Sequence, residues 1–488
     1  MNASKRYFFQ ALAGVKAQSQ TQGLGASAAF ALNMAALGHA AAQSSSVNDY
    51  KAIVCLFMHG GNDSHNWVVP ADASNFELYR AARGGLTTDS SPGLALSQAQ
   101  LDPIATPSIA GRQFALAKVL APLRELYDQG KAAVVANVGP LVVPTTKAQY
   151  QAATVPLPPK LFSHNDQSSI WQASAPEGAR YGWAGRMGDL LAANNSEPIF
   201  TSISVTGNTV LLSGLSTVQY QVGTSGSITM RGYGSTNNQR VFGSTQGNSA
   251  LRQLLAGEGT TLLQKEYTRV VQRSISTNDK FTDRVIPLTS VRPLPTTSYG
   301  AVPQGMPGAV DQDPLARQLQ MVARMIGSPM GTKRQVFMVS IGGFDTHDHQ
   351  NSAHPALGAR VAHSIRYFYD ALAALGKQDQ VALFTASDFG RTLSGNGRGS
   401  DHGWGAHHFV VGGGVNGRNL YGQFPLTRVS SNSFSNPDEV GSGRYLPSTS
   451  VEQYAATLGR WFGLSNSDLL TVFPNLSNFS QRDLGFMV

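Results

Sequence analysis

An α/β fold with a mostly parallel central sheet is predicted by three observations. Short runs of β-type residues recur, a polar glycine-bearing turn follows each, and helical patterns lie between them. The runs are residues 52–58, 132–138, 199–205, 335–341 and 381–385. Between the last two, Leu357, Val361, Ile365, Phe368, Leu372 and Leu375 fall on one face at helical spacing. Near the end, Tyr454, Leu458 and Trp461 predict a docked helix over 451–462. Residues 206–249 are rich in Gly, Ser, Thr and Asn and carry only Arg231 and Arg240 as charges, so they read as a β/loop insertion. Six prolines between 285 and 314 predict an extended connection.

The first residues point to export. Lys5 and Arg6, followed by Tyr7, Phe8 and Phe9, resemble a twin-arginine signal with Lys in the first basic position. Residues 17–48 hold no Asp, Glu, Lys or Arg, and the Ala-rich stretch 24–37 ends at Ala40-Ala41-Ala42, a small-residue cleavage site. A signal over 1–42 and one domain over 50–488 are therefore expected, with the product periplasmic or secreted. The apolar stretch falls short of the roughly 20 residues that a span needs, so no transmembrane anchor is expected after signal removal.

Without the leader's three cations, 34 basic residues face 29 acidic ones. The excess is mild and scattered, which argues against nucleic acid as a partner. Cys55 is the sole cysteine, so no intrachain disulfide forms and stability rests on the core. Its apolar setting predicts a small buried hydrophobe.

Side chains able to ligate a metal cluster just after the predicted strands. His59-Gly60-Gly61-Asn62-Asp63-Ser64-His65 follows the first, and its glycines allow a tight turn that delivers Asp63 to the sheet's carboxyl edge, where open α/β sheets bind ligands. Asp345, His347 and His349 alternate in the loop after 335–341, so an extended backbone projects them to one side. Asp388 and Arg391 follow 381–385, and Asp401, His402, His407 and His408 form a fourth group. Carboxylates and imidazoles together suit a divalent ion, with Zn, Mn, Fe and Ca all compatible. Each cluster alone is a weak signal, since a Gly-Gly-Asx turn after a strand is usually only a turn and a lone loop histidine is usually solvated or satisfied by a backbone carbonyl. His39, His354 and His363 are set aside: the first lies in the leader, His354 precedes Pro355 near a helix start, and His363 lies off the apolar face of its helix and is expected at the surface. Arg391 could hold an oxyanion or pair with an acid.

The stretches 57–70, 161–171, 342–350, 387–392 and 399–422, with 461–463 and 472–475, resemble the domain of unknown function 1501 family. That family is placed in the alkaline phosphatase and sulfatase-like superfamily, which implies a three-layer sandwich around the sheet. The resemblance implies that Asp63, Asp345 with His349 or His347, Asp388 and His402 bind metal. The pattern departs at Phe389, where a second imidazole is expected. His402, His407, His408 or His164 could supply it, one metal site could be lost, or Asp401-His402 could be the true pair. Ser163 is the candidate nucleophile at a helix start, with an N-cap serine as the alternative and Ser64 as a weaker choice. No Cys stands in a formylglycine context. The expected activity is hydrolysis or transfer of a phosphate or sulfate ester, with an anionic ester or glycan as the bound partner; the alternative is an exported binding or assembly protein that kept the fold.

Overall fold

Lys51–Met58 forms strand β1, and its eight residues set the plan of the molecule. Successive side chains of a strand point to opposite faces. Ala52, Val54, Leu56 and Met58 enter one apolar core, while Ile53, Cys55 and Phe57 enter a second. A strand apolar on both faces must lie in the middle of a sheet covered on both sides. The computed structural model describes residues 49–227, 244–257, 259–297, 308–430 and 435–488. The expected signal, 1–42, lies outside them.

The other strands are β2 (Val68–Pro70), β3 (Leu101–Ile104), β4 (Phe114–Ala117), β5 (Ala132–Gly139), β6 (Ser202–Ser204), β7 (Tyr220–Gly223) and β8 (Gly226–Ser227). After these come β9 (Arg334–Ile341), β10 (Val381–Ser387), β11 (Arg391–Gly395), β12 (Ser400–His402), β13 (Ala406–Gly412), β14 (Leu420–Tyr421) and β15 (Thr449–Ser450). Ten of them make the central sheet in the order β14-β5-β13-β10-β1-β9-β6-β7-β8, with β15 also on β5. The run from β10 to β7 is parallel, whereas β13 enters antiparallel to both β10 and β5, so the sheet is mixed and mostly parallel.

The helices are α1 (Ala73–Ala82), α2 (Ala121–Asp128), α3 (Lys147–Ala152), α4 (His164–Ala173), α5 (Trp183–Leu191), α6 (Thr245–Ala256), α7 (Leu262–Arg284), α8 (Pro314–Ile326), α9 (Gln350–Ala374), α10 (Val451–Phe462) and α11 (Asn466–Val472). Helices α2, α8 and α9 close the first core, through Leu123, Leu319, Val361 and Ile365 among others. Helices α5 and α10 close the second, through Trp183, Met187, Tyr454 and Leu458. Each such side chain, once buried, contributes roughly 1.5–3 kcal/mol. Two helical layers thus sandwich the sheet. Among the described residues, no helix is long and apolar enough to cross a membrane.

Two predicted elements differ in detail. The run 199–205 becomes a strand only at Ser202, because Pro198 opens a 3-10 turn over Pro198–Phe200 and has no N–H to give a ladder. In 206–249, β7 extends the central sheet in parallel beside β6, β8 folds back on it, and α6 begins at Thr245. Residues 228–243 of that segment lie outside the described ones. Cys55 is buried, and burial pushes its thiol pKa up.

Candidate metal centre

The site is built where β1, β9 and β10 end side by side, Met58 paired with both Ile341 and Ser387. The turn after β1 needs its glycines. Gly60 holds φ +115°, and a Cβ there would lie 2.3 Å from the Asp345 nitrogen. Gly61 holds φ +83°, and its Cβ would enter the Phe389 ring. With no side chain in the way, the loops after β1, β9 and β10 interlock, and the Gly60 N–H donates to Asp388 Oδ2 at 2.9 Å.

Around this junction stand three imidazoles and a carboxylate. His347 Nε2 lies 2.9 Å from His402 Nε2 and 3.1 Å from Asp345 Oδ1, and His402 Nε2 lies 3.4 Å from the same oxygen. His164, the first residue of α4, brings Nε2 to 3.5 Å from Asp345 Oδ2. Among the described residues, His164, Asp345 and His402 each offer a ligand atom within 4.8 Å of the others.

The far ring nitrogens settle the tautomers. His164 Nδ1 donates to Asp388 Oδ2 at 2.8 Å, His347 Nδ1 to Asp401 Oδ1 at 3.0 Å, and His402 Nδ1 to the Phe162 carbonyl at 2.8 Å. A neutral imidazole that donates through Nδ1 has a lone pair on Nε2. The Nε2 atoms of His347 and His402 therefore face each other at 2.9 Å, an arrangement that needs either a proton or a metal ion between the two nitrogens. Two nitrogens on one tetrahedral zinc, each at about 2.0–2.1 Å, stand about 3.3 Å apart. The triangle of His347 Nε2, His402 Nε2 and Asp345 Oδ1 has edges of 2.9, 3.1 and 3.4 Å, so the donor set fits one divalent ion. Partners on the far nitrogens are the arrangement that orients metal-binding histidines.

The electrostatics agree with that geometry. Burial works to raise the Asp345 carboxyl, but the Arg391 hydrogen bond and charge outweigh it and hold the pKa below the usual range. The hydrogen bond to Asp388 raises His164 against its burial, while burial lowers His402. Phe389 packs its ring 4.8 Å from His164 and 4.6 Å from His402, forming an apolar floor beneath both.

The predicted residues divide. Asp345, His347 and His402 come together, and His164, which stood among the candidates for the missing imidazole, joins them. His349 does not: its side chain is 73% exposed and pairs with Asp348. It sits in the left-handed region at φ +54°, as the cap of α9, which turns it away from the alternation with Asp345 and His347. Asp388 lies beside the cluster with both oxygens engaged, by Ser168 Oγ at 2.7 Å on one and by Gly60 and His164 on the other. Asp63 turns inward, fully buried, onto Arg83 and Gln350. Arg391 is buried and committed, donating to Asp345 Oδ1 at 2.7 Å, to Gly60 O at 3.2 Å and to Ser400 O. Ser163 stands at the N-cap position of α4 but makes no side-chain cap bond, and its hydroxyl donates to Asp166 Oδ2 at 2.9 Å. Ser64 is buried and accepts from the His407 N–H, while His407 and His408 belong to β13 in the interior.

Asp401 and the Phe162 carbonyl were not singled out as orienting groups. The first stood next to His402 in the sequence and was readable. The second depends on Phe162 holding φ +72°, which no residue type there announces.

The family model described as Protein of unknown function (DUF1501) matches residues 50–472. No curated protein matches the chain. Similar solved structures include Ps i-CgsB in complex with k-i-k-neocarrahexaose, at 11% identity and TM-score 0.32, covering 88% of this chain and 77% of that one. A multiply substituted mutant of the alkaline phosphatase PafA is 11% identical at TM-score 0.27, covering 71% of this chain and 64% of that one. Likeness at this level carries no functional argument.

Proposed function

Since the chain belongs to the DUF1501 family of proteins of unknown function, we propose from its own site that it is an exported, metal-dependent hydrolase or transferase of a phosphate or sulfate ester. One observation carries the reading: two imidazole nitrogens and a carboxylate oxygen form a triangle with edges near those of a single coordination sphere, each imidazole locked from behind. His347, His402 and Asp345 would hold the ion, with His164 beside them. A bound divalent ion supplies Lewis-acid polarisation of the ester and offsets charge on the transferring group.

The protein's own groups do the rest. Arg391 fixes Asp345 from below, and Asp388 fixes His164. Ser163 directly precedes His164, and Asp166 gives its hydroxyl an adjacent proton acceptor, which supports it as the attacking group. The commitment of Arg391 to protein acceptors favours a second reading. With that guanidinium spent, the site could hold an anionic ester or glycan without turning it over.

The test is elemental analysis of untagged protein, wild type beside His402→Ala, followed by an aryl sulfate and aryl phosphate screen. Bound metal lost with His402, together with turnover lost with it, is the expected result. A metal-free wild type that stays metal-free after reconstitution overturns the enzyme reading, and metal without turnover on either ester class leaves the binding reading as the better one.

A further inference from the structure

The superfamily resemblance places Asp63 among the metal ligands, yet the structure gives that carboxylate another cation. Arg83 Nη2 lies on Asp63 Oδ2, both side chains have no exposure, and Gln350 Nε2 donates to the same oxygen. The guanidinium is pinned from its other arm, where Nη1 donates to Leu393 O at 3.1 Å and to Thr392 O at 3.3 Å. Asp63 and Arg83 thus form a closed pair with no net charge. The imidazoles nearby add none, because burial pushes His65 and His354 down to about 4 and both stay neutral at neutral pH.

The other groups that would complete a second site are equally engaged. Asp388 has spent its oxygens on Ser168, Gly60 and His164, and Phe389 offers no lone pair. Asp63 Oδ1 is left without a hydrogen-bond partner, so one lone-pair position remains there. Any ion using it would share one carboxylate with the Arg83 charge. Burying a second like charge against a fixed guanidinium is strongly unfavourable unless further anions accompany it.

We infer that Arg83 stands as a permanent side-chain cation in place of a second metal, so that the chain binds a single divalent ion at the His347, His402 and Asp345 triangle with His164. This rests on the metal reading above. It assigns Asp63 to holding the loop after β1 in position, with no direct bond to metal.

The experiment counts ions in the full exported protein, purified without an affinity tag, stripped, and titrated with Zn(II) and separately with Co(II). Wild type should saturate at one equivalent, read by elemental mass spectrometry and by the visible cobalt absorbance. Asp63→Asn combined with Arg83→Gln removes both charges together and should still bind one ion, with affinity changed less than about threefold, a shift well under the 1.4 kcal/mol of a tenfold change. His402→Ala should bind none. Two equivalents in wild type overturn this inference and leave the metal reading standing; none in wild type overturns both. Loss of the ion from a folded double variant also overturns it. Should the double variant fail to fold, the wild-type cobalt endpoint decides alone.

Discussion

At the scale of single residues, Asp63 shows how a buried charge ties stability to pH. Burial alone would raise its carboxyl; the Arg83 charge and hydrogen bond, joined at acid pH by the fields of protonated His65 and His354, overcome that and hold it at about 2 against an ordinary 3.8. A carboxyl with a depressed folded pKa stabilises the fold above its unfolded pKa and withdraws that stability as pH falls through the folded one. His65 and His354 act earlier. Their folded pKa of about 4 lies below the ordinary 6.5, so their cost begins as pH drops under 6.5. The Asp63 contribution, roughly 2 kcal/mol, is full above about pH 5 and fades between about pH 4 and 2. Asp63→Asn leaves Arg83 buried and unpaired, which should cost about 3 kcal/mol at pH 7. In urea melts, the gap between variant and wild type should narrow by roughly 2 kcal/mol from pH 5 to pH 2. A gap independent of pH would show that the carboxylate is not held ionised by its partners. None of this pairing was readable in the sequence: Arg83 lies 20 residues beyond Asp63, and only the packing of α1 against the turn after β1 brings them together.

At the scale of elements, the turn after β1 is the part the sequence announced most clearly. Two glycines directly after an apolar strand predicted a sharp turn, and both sit at positive φ. The closing helix over 451–462 was equally legible, since its apolar face and its Ser450/Gln453 capping box agree on the same start. Less legible was the hairpin of β11 and β12, which carries His402 back over Phe389; its pairing of Arg391 with His402 spans a loop with no strong strand signal. The turn yields a prediction that separates strain from contact. Gly60→Ala must bear both a positive φ and a backbone atom of Asp345 at 2.3 Å, whereas Gly84→Ala bears a positive φ of +74° with open space around it. The second should cost about 1–2 kcal/mol, the price of a left-handed residue. The first adds an overpacking cost of about 1–3 kcal/mol and shifts the loop bearing Asp345, so zinc affinity should fall at least about tenfold. Urea melts and zinc titration of the two variants check this. Equal losses in both would mean that the loop contact at Gly60 does not set the position of Asp345.

At the scale of the whole molecule, the central sheet gathers the site's charges at one edge, and their balance bears on which ester fits. The loops after β9 and β10 and the strand β12 bring Asp345, Asp388 and Asp401 toward the imidazoles, with Arg391 as the buried cation beneath Asp345. A single divalent ion and Arg391 would match those three carboxylates, and the Asp63 and Arg83 pair cancels itself. The loaded site would then be close to neutral. The sequence's formal net charge of +8, three units of which belong to the expected leader, is screened by salt beyond about 8–10 Å, so it does little to change this local balance. A second negative charge on a substrate therefore gains no matching cation and lies near three carboxylates. One extra unit charge at about 4 Å from an unmatched carboxylate costs up to about 4 kcal/mol at an effective dielectric of 20, and water and distance reduce that figure. Even a third of it, about 1.4 kcal/mol, is a tenfold effect. Singly charged aryl sulfates or phosphodiesters should thus exceed doubly charged aryl phosphates in kcat/KM by about tenfold or more, with the same leaving group and corrected for intrinsic reactivity. The preference should persist in Ser163→Ala if any turnover remains, because it arises from the charge balance and not from the nucleophile. Faster turnover of the doubly charged monoester would mean that the site carries more positive charge than one ion and Arg391 provide, and would count against the single-ion centre from a direction independent of counting metal.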